Sequence, residues 1–470
     1  MQLVPSSILA LAAILMMFVK GPRRGVFSFL ALTPFGAAAA FNLPALGGAT
    51  IGLKELAVVA VFVMVWIAPD GPNRLLGTLR PGQPGFVLLI LMAVCGMSAI
   101  FAPMVFRGAT EVFSLSREAN AQGIISISLR PTTGNITQLF MMTLSALAFL
   151  CFATVFRVTP DARAVLTGMA IATGINFVLG WLDVVTGATG LNVLMEPIRT
   201  ANYSMLDGSR MAGIKRMVGG FPEASSFGEY SLTMFAFWLP YWTRSPSSWL
   251  ARIMLVASAI VLLRSTSSGA YVALVLFLLG YGLYAATSGT RSRVPKRVAV
   301  IFFCGLLTVW MAALVIYASY QLVDPVTAFF DQTLFDKLET DSGIERMSWN
   351  TQALRNFTDT TLVGAGLGSV RASNWFVACL GSIGLIGTLL YLAFLTLLAR
   401  LPVPSENAET AVVVTGLKSA CFALFIAAFL TSTTPNLGVF FFTLAGLATG
   451  LSRGASLTGQ TVFDKRWSAG

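Results

Sequence analysis

The segment RMVGGFPEASSFGEYSL, residues 216–232, sets two carboxylates, Glu223 and Glu229, among glycines, hydroxyls and aromatics at the head of an apolar stretch. A carboxylate so placed can take a proton or orient an attacking hydroxyl, and the chain has no histidine to share that work. Gly219 and Gly220 permit a sharp turn and Pro222 suits a helix start, so a helix is expected to begin near Pro222 with Glu223 in its first turn. Two readings of Glu223 stand side by side: a carboxylate held by the positive end of the helix dipole, and a reactive group at a mouth. At helical spacing Glu223, Ser226, Phe227 and Tyr230 share a face, polar at the mouth and aromatic deeper, which suits a sugar ring. Ser225 and Glu229 share the next face, and Ala224, Gly228 and Ser231 form a small-residue stripe for another helix to approach.

Cations gather nearby. Arg199, Arg210, Lys215 and Arg216 lie in one loop with Glu196 and Asp207, a set that either brackets an anionic group such as a diphosphate or forms surface ion pairs. RSTSSGAY, residues 264–271, joins two apolar stretches too tightly to leave the membrane surface. It brings Arg264 and the hydroxyls of Ser265, Thr266, Ser267 and Ser268 close by, Arg264 either snorkelling or facing a cavity. Further on, TDSGIERMSWNTQALRNF reads as an amphipathic helix with Ile344, Met347, Thr351 and Leu354 along one side and Glu345, Arg346 and Arg355 projecting nearby, a charged lid for an outer mouth.

The elements that must hold these groups follow from composition. Hydrophobic residues make up 56% of the chain, charged residues 11%, and mean hydropathy is +0.78. Apolar runs long enough for a bilayer recur throughout, and about 12 to 13 transmembrane helices are expected in an all-α polytopic membrane protein. The candidate spans are roughly 4–19, 25–46, 51–68, 85–106, 136–156, 164–186, 224–242, 250–264, 269–287, 298–320, 375–399, 411–431 and 437–452. The first lacks the basic and small-residue flanks of a cleaved leader, so none is expected, and residues 1–470 are read as one membrane domain.

Of the 31 Lys and Arg, 18 fall in one alternating set of loops with only five acids; that set, with the C-terminal tail, is assigned to the cytoplasm. The net charge of +11 thus reflects topology, and no nucleic-acid partner is expected. Three loops on the other side are long: 107–134, 187–223 and 321–374. In the first, the alternating IISISL could form a short strand or an amphipathic segment, but a plain covering loop is the favoured reading. Cys95, Cys151, Cys304, Cys379 and Cys421 all lie in apolar runs without a CxxC pair, which supports neither a disulfide framework nor a zinc site. GGFPEASSFG is no P-loop, and GAGLGS at 364–369 lacks the strand setting of a dinucleotide site.

Taken in order, GGFPEASSFGEYSL, RSTSSGAY and ERMSWNTQALRNF…LVGAGLGSVRASN…LGSIGLIG resemble the successive signatures of bacterial exopolysaccharide polymerases, which belong with Wzy-type O-antigen polymerases and O-antigen ligases. The resemblance covers residues 200–400; the first five spans match in hydropathy only. It implies a GT-C-type glycosyltransferase of the bacterial inner membrane with its site facing the periplasm. The implied donor is an oligosaccharide on undecaprenyl diphosphate, with neither metal nor other cofactor. Arg210 and Arg216 in the second long loop and Arg346, Arg355 and Arg371 in the third then bind the diphosphate. Arg355 and Gly366 reproduce an R-x10-G spacing of the family. Ser267, Ser268 and Gly269 stand where ligases and many polymerases carry Ser-Arg-Gly, which leaves Arg264 as the substitute, and Ser373 stands where ligases place a histidine, which favours the polymer-forming branch.

Glu223 is the expected base or acceptor orienter with Glu229 as the second carboxylate, and Tyr230, Ser226, Ser268 and Glu345 are expected to meet acceptor or sugar. Membrane lipid, a chain-length regulator and export proteins are the implied partners. Two rivals remain: a ligase passing finished glycan to another acceptor, and a transporter or flippase of the lipid-linked saccharide.

Overall fold

The computed structural model describes residues 2–43, 49–115, 124–203, 205–206, 208–211, 214–245, 247–288, 305, 341–404 and 407–467. The basic run 291–297, the candidate span 298–320 apart from residue 305, the first part of the third long loop, Asp207 and Cys304 lie outside them.

The described chain is mostly helical, as an all-α membrane protein would be. Helices α1 (Ser7–Arg24), α2 (Val26–Leu32), α3 (Leu53–Ile67), α4 (Gly71–Leu76) and α5 (Pro84–Val105) lead to α6 (Thr133–Val158) and α7 (Ala162–Thr189). Then come α8 (Ala224–Arg244), α9 (Trp249–Arg264), α10 (Ser268–Ser288), α11 (Asp341–Asp359), α12 (Trp375–Ala399), α13 (Ala408–Thr431) and α14 (Gly438–Trp467). Among the described residues α5, α6, α7, α12 and α13 are long and apolar enough to cross a membrane. α3 and α9 have 15 and 16 residues, and α8 is long enough but less apolar, because its first half carries the polar groups singled out above.

One expected span is corrected. Residues 25–46 form no single helix: α2 stops after seven residues, and beyond Pro34 the chain enters strand β2 (Ala39–Leu43), which pairs antiparallel with β1 (Gln2–Leu3) and β3 (Ala49–Gly52). The stretch is apolar because protein covers it; Val26, Phe29 and Leu30 are fully buried. Its backbone groups find partners in the second long loop, with Ala37 N–H donating to Gly220 and the Ala37 carbonyl accepting from Thr200 and Ala201.

The core is centred on α6 and α14. Gly446, Gly450 and Gly454 recur every four residues on α14, and a Cβ at Gly446 or Gly454 would come within 2.6 Å of a carbonyl oxygen of α6, so the two backbones touch as small-residue stripes allow. Beside them Trp375, Tyr391, Phe394 and Phe442 interlock with Phe149, mostly edge to face. The four described cysteines are free and buried.

The expectation of a plain covering loop at 107–134 is corrected: the loop contains a hairpin, β4 (Glu111–Leu115) paired with β5 (Ile124–Ser128), because the alternation in IISISL does mark a strand. This hairpin supports α11. Gln352 and Asn356 both donate to the Glu111 carbonyl, at 2.7 and 2.6 Å, and Thr110 Oγ1 donates to Asp359 at 2.7 Å. Helix α11 therefore forms where the sequence places it, with Glu345, Arg346 and Arg355 exposed as expected, but the aliphatic side does not pack. Trp349, Ala353, Asn356 and Thr360 are buried, whereas Met347 and Leu354, expected on the packed side, are 64% and 44% exposed. The hydrogen-bonding needs of Asn356 and the bulk of Trp349 outweigh the aliphatic pattern.

Candidate functional site

Helix α8 begins at Ala224, two residues past the start expected near Pro222. Glu223 has extended backbone angles at the N-cap, and its carboxylate turns along the helix to accept from Ser225 Oγ at 2.5 Å and Ser226 Oγ at 3.4 Å. That moves Glu223 off the expected aromatic face and toward Glu229, whose carboxylate lies within electrostatic reach of it. At Gly228 the small-residue stripe permits a close approach, meeting Ser265, Ser267 and Ala270 at the α9–α10 turn, whereas Ser231 accepts from Asn176 Nδ2 of α7 at 3.0 Å.

Three other segments close around the two carboxylates. From the end of α13, Thr431 Oγ1 donates to Glu229 Oε1 at 2.9 Å. From α11, Arg346 falls within electrostatic reach of Glu229. From the second long loop, Arg216 faces Glu223 and Tyr271. Burial pulls the Arg216 guanidinium below its ordinary range, and these two neighbours oppose the shift; its buried Nε has no hydrogen-bond partner among the described residues. A buried donor without a partner costs about 1–3 kcal/mol, so an acceptor arriving there would be well received.

Arg371 stands on the turn that follows α11. Its guanidinium sits 4.3 Å from the centre of the Trp349 ring, and its buried Nε also lacks a partner among the described residues. Burial lowers its pKa while Glu345 acts in the opposite direction. The turn carrying Arg371 is tied down by Ser373 N–H to Asn350 Oδ1 at 2.7 Å and Ala372 N–H to the Thr433 carbonyl at 3.4 Å. That turn follows Gly364, Gly366 and Gly368, all at positive φ; at Gly366 a Cβ would stand 2.6 Å from the Pro103 ring.

Glu223, Glu229, Ser226, Arg216 and Arg346 are thus linked to one another, and Glu345 and Arg371 form a neighbouring pair on α11 and the turn after it. The structure does not bring in the rest. Tyr230 is buried, stacked on Phe440 at 5.0 Å, and its hydroxyl is 2.7 Å from Thr33 Oγ1, so it packs the core rather than lining a mouth. Phe227 is likewise fully buried. Ser268 is buried at the start of α10, and Arg264 stays at the edge of the group: its Nη1 donates to the Lys215 carbonyl at 3.0 Å and, with Arg216, it lies within electrostatic reach of Tyr271. Arg210 is exposed on the short strand β6 (Arg210–Met211), paired with β7 (Ile214–Lys215), and Arg355 is exposed on α11.

The cationic loop also divides. Arg199 and Lys215 converge on Asp183 of α7, with Arg199 Nη2 at 2.6 Å and Lys215 Nζ at 2.9 Å from Oδ1, while Val218 and Gly219 N–H groups serve Oδ2 at 2.9 and 3.3 Å. Asp183 is wholly buried, so Arg199 and Lys215 are held inward by an internal ion pair with α7. An aspartate inside an otherwise apolar helix was the available signal, since ionised groups persist there only with partners. Thr431 and Trp349 were also not singled out; the polar run TSTTPN closing an apolar stretch pointed to the first.

No family model and no curated protein matches the chain.

Proposed function

We propose that the protein polymerises oligosaccharide repeat units carried on undecaprenyl diphosphate, acting as a GT-C-type glycosyltransferase at the periplasmic face of the bacterial inner membrane. One observation carries the proposal: Glu229, held by Thr431, lies within electrostatic reach of Glu223 and of Arg346, and Glu223 within reach of Arg216, each cation coming from a separate segment. Carboxylates beside a half-buried guanidinium, Arg216, and an exposed one, Arg346, suit a reaction in which a hydroxyl loses a proton while a diphosphate gains charge.

In this reading the acceptor hydroxyl gives its proton to Glu223 as its oxygen bonds to the anomeric carbon. The bond from that carbon to the phosphate oxygen breaks, and its electron pair leaves with the diphosphate. Arg216 and Arg371, each with a free Nε donor among the described groups, hold the departing oxygens. Glu229, oriented by Thr431, lends negative charge to the oxocarbenium-like transition state. Ser226 and Glu345 remain candidates for sugar hydroxyls.

A deletion strain tests the proposal. Loss of long polysaccharide with accumulation of single repeats on undecaprenyl diphosphate outside the inner membrane is expected. Long chains persisting on the lipid without reaching another acceptor would identify a ligase, and repeats trapped on the cytoplasmic leaflet would identify a transporter; either result overturns it.

A further inference from the structure

A second cationic site lies at the far end of the helices from the carboxylates. Helix α7 separates the two: Asp161 at its N-cap pairs with Arg23 at 3.6 Å, and its 28 residues, about 42 Å of helix, run toward Asp183 below the second long loop. Beside Arg23 is a cavity of about 400 Å³ between the ends of α1, α3, α4 and α6. Helix α1 bends there at Gly21, whose φ is +76° and whose would-be Cβ meets nothing within 4 Å, leaving the space open.

The lining is of two kinds. Lys20, Arg23, Arg24 and Arg74 supply positive charge, and no carboxylate lines the cavity among the described residues. Val65, Val155 and Val158 supply an apolar side. Behind this wall Arg157 donates to the Arg74 carbonyl at 2.8 Å and lies within electrostatic reach of Arg80 and Arg453, so like charges are crowded together. Asp161 is the one acid in salt-bridge contact with this group among the described residues. Clustered guanidiniums with so little counter-charge attract an anion, and the half-apolar wall suits one attached to hydrocarbon better than a free ion.

We propose that this cavity binds the phosphate headgroup of an anionic phospholipid, with Arg24 and Arg74 on the phosphate oxygens and the valines against the glycerol and upper acyl chain. Free phosphate shares the anion chemistry but leaves the apolar wall unused.

The test uses the full chain in detergent, stripped of lipid, with phosphatidylglycerol, phosphatidylcholine or inorganic phosphate added, read by native mass spectrometry and by the thermal unfolding midpoint. Phosphatidylglycerol should bind and raise the midpoint where phosphatidylcholine does not, and millimolar inorganic phosphate should not displace it. Arg24→Gln with Arg74→Gln should weaken phosphatidylglycerol binding about 30-fold, at roughly 1 kcal/mol per charge. Arg24→Lys with Arg74→Lys keeps the charge and should retain most of the binding, which separates lost charge from misfolding. Equal binding of the two lipids, an unaffected glutamine variant, or stabilisation by inorganic phosphate alone would each overturn the proposal.

Discussion

Glu229 on α8 accepts a hydrogen bond from Thr431 Oγ1, the last residue of α13, across 202 positions of sequence. Few contacts say more about this site, because it places a carboxylate that the chain buries partway against a helix end that sequence gives no reason to pair with it. Thr431→Val keeps the shape and removes the donor. Hydrogen bonds to charged groups contribute about 1.5–3 kcal/mol, so polymer formation should fall about tenfold or more at unchanged protein level, and Thr431→Ser should restore it. Quantifying polymer against membrane protein checks both.

Arg371 and Trp349 act as a unit in this structure. Replacing Arg371 by Lys keeps the charge but loses the flat guanidinium over the ring. Both Arg371→Lys and Trp349→Leu should raise KM for a lipid-linked repeat several-fold. The double variant should be little worse than either one, as shown by steady-state kinetics on purified protein.

Asp183 should behave as a structural residue. Removing the charge of a buried ion partner costs about 3–5 kcal/mol, so Asp183→Asn should lower unfolding stability by an amount of that order and loosen the second long loop. Chemical or thermal unfolding measures it. A variant of full stability that had lost activity would instead place Asp183 in the reacting site.

At Gly384, where α12 kinks with φ +66°, a Cβ would sit 2.2 Å from the Val363 carbonyl oxygen. Gly384→Ala should sharply reduce folded protein. Gly96→Ala on α5, where a Cβ meets nothing within 4 Å, should be neutral or mildly stabilising. Thermal midpoints of the pair provide the comparison.

Much of this was legible in advance. The helices carrying the site, the small-residue contact at Gly228 and the presence of α11 follow from apolar run length and residue spacing, which act locally. The failures are non-local. Residues 25–46 look like a span because burial in protein and burial in lipid select the same side chains. The packed side of α11 is not its aliphatic one because packing there is decided by Trp349 and Asn356, with Asn356 tied to a hairpin distant in sequence. Tyr230 suited a sugar platform until Phe440 and Thr33 occupied its ring and hydroxyl, and Arg199 and Lys215 suited a ligand until Asp183 appeared beneath them. Charge can be counted from sequence, but its neutralisation depends on which segments meet.

Conversion of Glu223 to Gln bears most directly on the proposed chemistry, since it removes one proton acceptor and leaves the size of the side chain nearly unchanged. In a deletion strain carrying Glu223→Gln at normal protein level, long polymer should vanish and single repeats on undecaprenyl diphosphate should accumulate at the outer leaflet. Normal polymer length and yield from that variant would contradict the role given to Glu223 and, with it, the site described around the head of α8.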